Sequence, residues 1–307
     1  MGHKAALLQG RIVAAHGRHY TVELDDGSLR KCFPRGKKGG AAVGDNVLIQ
    51  PQGRDEGVIE NILERRNLLY RSDDMRTKQF AANVDQLLIV VAVEPAFSHD
   101  LVGRALVAAQ SAGIQPIILL NKADLSAGLP AARQRVQNLT GASECGPLAP
   151  VLEISALDSA AAADALLPLL RDRCSLLLGQ SGMGKSSILN ALVPDALAHT
   201  QAHSVALDAG KHTTTSTRLY HLPDGRGSLI DSPGFQTFGL YHLTPGELER
   251  GFPEFAEPAR HCRFYNCMHR QEPGCGVLQA VAQGRIPAER HALYLRILAE
   301  NEAQSRY

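Results

Sequence analysis

Gly179-Gln180-Ser181-Gly182-Met183-Gly184-Lys185-Ser186 decides the reading of this chain, because of what stands before it. The stretch has the G-x-x-x-x-G-K-[ST] form of a phosphate loop. Its glycines let backbone amides turn inward around phosphate oxygens. Lys185 brings a cation to the terminal phosphates, and Ser186 offers a hydroxyl to Mg²⁺. Ser187 opens a helix whose positive dipole end faces the same place. Yet Asn121-Lys122-Ala123-Asp124 and Ser155-Ala156 both precede this loop, and Asp231-Ser232-Pro233-Gly234 follows it.

The Asn121 tetrad chooses the base. An aspartate carboxylate at Asp124 accepts from both N1–H and the 2-amino group of guanine, a donor pair that adenine lacks. Asn121 orients the loop, the Lys122 stem packs over the base, and a backbone amide at Ser155-Ala156 meets guanine O6. Asn121-Lys122-Ala123-Asp124 alone is a weak signal, since a polar turn with Asp124 capping a helix reads the same way. With the phosphate loop and Asp231-Ser232-Pro233-Gly234 it becomes strong. In an ordinary guanine-nucleotide switch the phosphate loop leads and the base tetrad trails. Here the order is rotated, which predicts a circularly permuted GTPase domain.

Flanking patterns agree. Leu87 to Val93, Pro116 to Leu120, Val151 to Ile154 and Ser175 to Leu178 are short apolar runs, as in strands buried on both faces. Asp100 to Ala112 fits an amphipathic helix between two of them. This βα alternation predicts a parallel α/β sheet across residues 67–240. Residues 1–66 alternate apolar and polar positions, with turns at Asp25-Asp26-Gly27-Ser28 and Gly39-Gly40, and predict a small β-barrel. Residues 241–307 are polar, hold a cysteine cluster and end in a helical stretch from Ile286 to Gln304.

Two segments bear on turnover. Lys211-His212-Thr213-Thr214-Thr215 lies between the phosphate loop and Asp231, where Thr214 or Thr215 is expected to join Ser186 and Asp231 around Mg²⁺. The Gly234 amide is placed to reach the γ-phosphate. Phe235 follows, where many GTPases carry a glutamine that orients the attacking water. A phenyl ring cannot do this, so slow intrinsic turnover is expected. His212 is the nearest substitute, beside Lys185, for a catalytic role. An ordinary loop histidine is the plainer reading of His212.

Of six cysteines, three gather with one histidine as Cys262, Cys267, His269 and Cys275. Three thiolates and an imidazole close a tetrahedral set, which favours one structural Zn²⁺. His261 is the adjacent alternative ligand; His242 and His291 read as surface residues outside the cluster. Net charge is only +1, so any nucleic-acid surface must be a local patch. Arg30-Lys31, Arg35, Lys37 and Lys38 read as a basic loop of the barrel, and Arg65-Arg66 as its exit. Arg260, Arg263 and Arg270 surround the cysteine cluster. The longest apolar runs are too short to span a bilayer, and no secretory pattern opens the chain, so a cytoplasmic location is expected.

The rotated motifs, the Lys211-His212-Thr213-Thr214-Thr215 segment and the Cys262, Cys267, His269, Cys275 spacing together resemble the ribosome small-subunit-dependent GTPase A family. The likeness covers nearly the whole chain. It implies an N-terminal OB-type barrel and a C-terminal, mainly helical zinc-binding domain. It also implies GTP hydrolysis to GDP stimulated by the 30S subunit, late in its assembly, with 16S rRNA as a partner. A monomeric chain is expected. A P-loop kinase and a nonhydrolysing RNA-binding regulator that uses GTP as a ligand are the competing readings.

Overall fold

A computed structural model describes residues 6–36, 40–72, 77–140, 142–143, 146–194, 196, 217–233 and 239–304. Five strands come first: β1 (Leu8–His16), β2 (His19–Leu24), β3 (Leu29–Pro34), β4 (Asn46–Gln52) and β5 (Glu56–Ile62). Their inward positions are Ile12, Val22, Cys32, Val47, Ile49 and Ile59, all buried, while neighbours such as Arg11, Thr21, Lys31, Leu48 and Val58 are more exposed. That two-residue period gives the sheet one apolar face, which the strand pairing wraps into a barrel. β1 pairs with β2 and with β4, β3 runs parallel to β5, and β5 pairs with β4. The order is that of a five-stranded OB-type barrel. Arg30 and Lys31 lie on β3, so the basic run begins on a strand and not in a loop.

Arg65 leaves the barrel tied on both sides of its guanidinium to Asp45, at 2.6 and 2.7 Å. Asp45 is fully buried and also accepts from the Ala42 amide at 2.7 Å. This bidentate pair fixes the exit and takes Arg65 out of the basic surface. A hairpin, β6 (Leu68–Ser72) with β7 (Thr77–Ala82), leads into the central sheet.

That sheet contains β8 (Gln86–Ala92), β9 (Gln115–Asn121), β12 (Val151–Glu153), β13 (Cys174–Gly179), β14 (Arg218–His221) and β15 (Ser228–Asp231), while β10 (Ala142–Ser143) and β11 (Gly146–Pro147) form a separate two-stranded pair. Helices α1 (His99–Ser111), α2 (Leu129–Thr140), α3 (Ser159–Leu170) and α4 (Lys185–Leu192) connect its strands. β12, β9, β8, β13 and β15 are parallel neighbours in that order. Every residue of β8 and β13 is buried, as strands covered on both faces require. The chain enters at β8, moves outward through β9 to β12, and returns by α3 to β13 on the other side of β8. The crossovers therefore diverge between β8 and β13, where sheets of this kind bind ligands beyond the strands' carboxyl ends.

β14 is antiparallel to β15 and meets barrel strand β1 at Ala14 and Arg218. Barrel and α/β sheet thus form one continuous hydrogen-bonded ribbon. The last region has helices at Pro245–Arg250, Gly276–Ala282 and Ala288–Gln304. The first carries a capping box between Thr244 and Glu247. The longest docks on α1, where buried Arg104 holds Glu300 at 2.6 Å and Asp100 at 2.7 Å. Among the described residues no helix is long and apolar enough to cross a membrane.

Candidate nucleotide and metal sites

The carboxyl ends of β8, β9, β12, β13 and β15 bring the separated motifs together around Asn121. This residue ends β9 and is 1% exposed. Its Nδ2 donates to the Met183 carbonyl of the phosphate loop at 2.9 Å. Its Oδ1 accepts from the Ala156 amide at 3.0 Å. One amide side chain therefore links the base tetrad, the Ser155-Ala156 loop and the phosphate loop. Gly184 has φ +92°, and a Cβ there would lie 2.1 Å from Asn121 Nδ2, so only glycine lets the two loops approach. Ser155 Oγ donates to Asp124 Oδ1 at 2.5 Å, and the Ala123 amide donates to Ile154. Asp124 is exposed, and the Ser155 hydroxyl orients its carboxylate.

On the phosphate side, Ser181, Gly182, Ser186 and Ser187 are exposed, whereas Met183 is buried as the loop's anchor. Lys185 Nζ donates to the Gly179 and Gln180 carbonyls at 2.8 and 2.9 Å, which holds the cation at the loop. The Gln180 side chain accepts from the Ser98 amide at 2.7 Å and braces the loop against the start of α1. Ser232 Oγ donates to Leu177, which ties the end of β15 to β13. The donor set, a hydroxyl at Ser186 and a buried carboxylate at Asp231, suits Mg²⁺. His212, Thr213, Thr214, Thr215, Gly234 and Phe235 lie outside the described residues, as do Lys37 and Lys38.

Burial raises the Asp231 carboxyl to about 6, against the opposing pull of Lys185. Burial also lowers the Lys185 ammonium. A carboxyl whose folded-state value is raised favours the neutral form, so at neutral pH its charge costs stability that is regained as pH falls through about 6. The shift from 3.8 corresponds to roughly 3 kcal/mol at about 1.4 kcal/mol per unit. Asp231→Asn is therefore expected to raise the melting temperature of the nucleotide-free protein at pH 7.5, with the gain shrinking towards pH 5. Mg²⁺-dependent nucleotide binding is expected to weaken in the same variant. Thermal melts at both pH values check this; an unchanged difference between them would remove Asp231 as the titrating group.

Cys262, Cys267, His269 and Cys275 converge, with their donor atoms all within 4.8 Å of one another. Cys262 Sγ lies 3.8 Å from Cys275 Sγ and 3.6 Å from His269 Nδ1, and Nδ1 lies 3.4 Å from Cys275 Sγ. Tetrahedral bonds of about 2.3 Å to sulfur and about 2.0–2.1 Å to nitrogen place such donors about 3.8 and about 3.5 Å apart. The donor set therefore fits a structural zinc. The Gly276 and Leu278 amides donate to the Cys262 and Cys275 sulfurs, stabilising thiolates. His269 is buried with φ +57°, and its Nε2 faces Glu249 at 3.8 Å. Such a carboxylate fixes the tautomer that leaves Nδ1 for metal. Nothing in the sequence marked Glu249, twenty residues upstream. His261 pairs with Glu257 outside the cluster. His291 is buried, not on the surface, and its Nε2 lies 2.7 Å from the His269 carbonyl. His242 is half-buried against the Tyr70 ring.

The basic residues fall into two groups. Arg35 pairs with Glu60, Arg66 with Asp85 and Arg270 with Glu302. Arg260 and Arg263 are exposed beside the metal cluster, next to exposed Phe264 and Tyr265.

The chain is similar to several known proteins along most of its length. The family model described as RsgA GTPase matches residues 62–241. A Bordetella pertussis protein named small ribosomal subunit biogenesis GTPase RsgA is 65% identical over 97% of this chain and 98% of its own. A Paraburkholderia phymatum protein of the same name is 57% identical over 95% and 92%. The crystal structure of YjeQ from Thermotoga maritima has a TM-score of 0.70 and 31% identity, covering 96% of this chain and 99% of that one. That of YloQ, described as a circularly permuted GTPase, has a TM-score of 0.67 and 29% identity, covering 99% and 98%.

Proposed function

Because the chain belongs to the RsgA GTPase family, we propose that its GTP hydrolysis serves late assembly of the 30S ribosomal subunit, where it binds 16S rRNA. The observation that carries this reading is full-length likeness. Barrel, permuted GTPase and cysteine cluster all fall within the 97% of the chain shared with a relative named for small-subunit biogenesis. The division is 1–66 for an RNA-binding barrel, 67–240 for the GTPase and 241–307 for the zinc-binding region. The protein acts as a cytoplasmic monomer.

In this reading Asn121, Lys122, Ala123, Asp124, Ser155 and Ala156 hold guanine. Gly179 to Ser187 and Gly234 hold the phosphates. Ser186, Asp231 and Thr214 or Thr215 hold Mg²⁺, which neutralises charge that develops on the phosphates. A kinase has no use for an Asp124 carboxylate oriented by Ser155, which supports the GTPase over that alternative.

Control by the ribosome has a physical route. The Ala15 amide of β1 donates to the Thr217 carbonyl at 3.3 Å, and Thr217 stands two residues after Thr215. RNA bound to the barrel can bias the threonine segment through that strand contact. A second route runs from α1 through Arg104 to the zinc-binding region. Single-turnover hydrolysis is the test. The protein alone is expected to turn over slowly and 30S subunits to accelerate it. His212→Ala is expected to keep GTP binding and lose most of the stimulated rate. Equal rates with and without subunits would overturn the proposed role. Full stimulation of His212→Ala would move the water-orienting task to another group.

A further inference from the structure

The sheet has a second cleft, at the end opposite the nucleotide motifs. It encloses about 560 Å³ between the barrel and the amino ends of β8, β13 and β15. Four guanidinium groups line it, from Arg11, Arg66, Arg173 and Arg226, against two carboxylates, from Asp85 and Asp172. In a chain of net charge +1 this is a concentrated positive pocket. Two of the cations are neutralised locally, Arg66 by Asp85 and Arg226 by Asp172 at 2.6 Å. The other two face no carboxylate within ion-pair distance among the described residues, although Arg173 lies near enough to Asp85 and Asp172 to lower both carboxyls. Arg173 is exposed. The only side-chain partner of Arg11 among those residues is the Cys174 sulfur, at 3.1 Å from Nη2.

We propose that this cleft is a second RNA-contact site, which takes the phosphodiester backbone of a single strand between Arg11 of the barrel and Arg173 of the GTPase. Two observations select this ligand class. The cleft is wide and polar, with four guanidinium groups to two carboxylates, and the planar donors of guanidinium match phosphate oxygens. It also continues the outer surface of an OB-type barrel, a fold that carries oligonucleotides. A strand seated there would bridge the two units beside the β1–β14 contact and the His221–Glu23 pair. It would leave the Asn121 and Lys185 end of the sheet free, so RNA and nucleotide would not compete.

This inference rests on the RNA-binding reading above, and the experiment separates the two. A fluorescent twelve-nucleotide oligouridylate is titrated with the full GDP-bound protein at several KCl concentrations, and binding to 30S subunits is measured in parallel. Arg173→Ala is expected to weaken oligonucleotide binding severalfold at low salt and to flatten the log–log salt dependence by about 0.7, the value of one phosphate contact on a single strand. Arg11→Ala with Arg173→Ala is expected to flatten it by about twice that. Arg173→Lys is expected to restore the slope, and GDP affinity to stay at the parental value throughout. Parental binding with unchanged affinity and slope in the variants overturns the cleft alone. So does weaker binding with an unchanged slope, which assigns the arginines to holding the barrel in place. Weaker 30S binding with intact oligonucleotide binding also overturns it, in favour of an acidic protein segment. A parent that binds neither RNA nor subunits takes both readings down.

Discussion

Asn121→Ala is expected to weaken GDP and GTP binding by on the order of a hundredfold. The side chain is buried and makes two hydrogen bonds, one to the Met183 carbonyl and one from the Ala156 amide. Alanine leaves both backbone groups without that partner at the junction of three loops. Each such loss costs about 1–3 kcal/mol. Together they amount to about 3 kcal/mol or more of loop positioning, and about 1.4 kcal/mol is tenfold in affinity. Gly184→Ala is expected to act through the same junction, because its methyl would meet Asn121 Nδ2 at 2.1 Å. Titration with a fluorescent guanine nucleotide measures both. Parental affinity in Asn121→Ala would mean that the strands alone hold the loops in register.

Loss of the metal is expected to have the larger effect on stability. Cys267→Ala removes one of four donors, so the purified variant is expected to hold well below one zinc per chain, and the parent one. Apparent zinc affinities in small structural sites are worth about 10–16 kcal/mol, comparable to the whole stability of a domain. Here the cluster supports a small aromatic core. His269 packs edge-on to Phe255 at 5.8 Å between centroids, and Phe255 and Phe252 pack on Tyr294. Without metal, residues 239–304 are expected to become sensitive to protease. Nucleotide affinity is expected to survive, because the nucleotide motifs stand on strands between Gln86 and Asp231. Elemental analysis and limited proteolysis decide it. A parent without zinc, or a zinc-free variant cleaved no faster than the parent, would refute the assignment.

Much of the site was legible because its chemistry is local in sequence. A phosphate loop needs glycines, a lysine and a hydroxyl within eight residues, so Gly179 to Ser186 declares itself. The cysteine cluster spans fourteen residues and its donors do meet. Reading failed where an outcome depended on distant neighbours. His291 resembled a surface histidine, yet it is buried against the His269 carbonyl 22 residues away. Arg35, Arg66 and Arg270 looked like free cations, but each faces a carboxylate from another element. The strand Leu29–Pro34 was hidden because Arg30 and Lys31 stand on it and only Cys32 is fully buried.

The sequence by itself determined the guanine-nucleotide switch, its rotated order, the barrel before it and the metal cluster after it. Each depends on residue type at short spacing, which folding does not change. Only the tertiary structure decided that Asn121 joins three loops, that β1 continues the central sheet through β14, and that Glu249 faces His269. It alone also set Arg11 of the barrel across a cleft from Arg173. These depend on which strand edges and side chains meet over separations of up to about 200 residues, as at Ala14 and Arg218. Such meetings are fixed by packing of the whole core, and no local pattern records them.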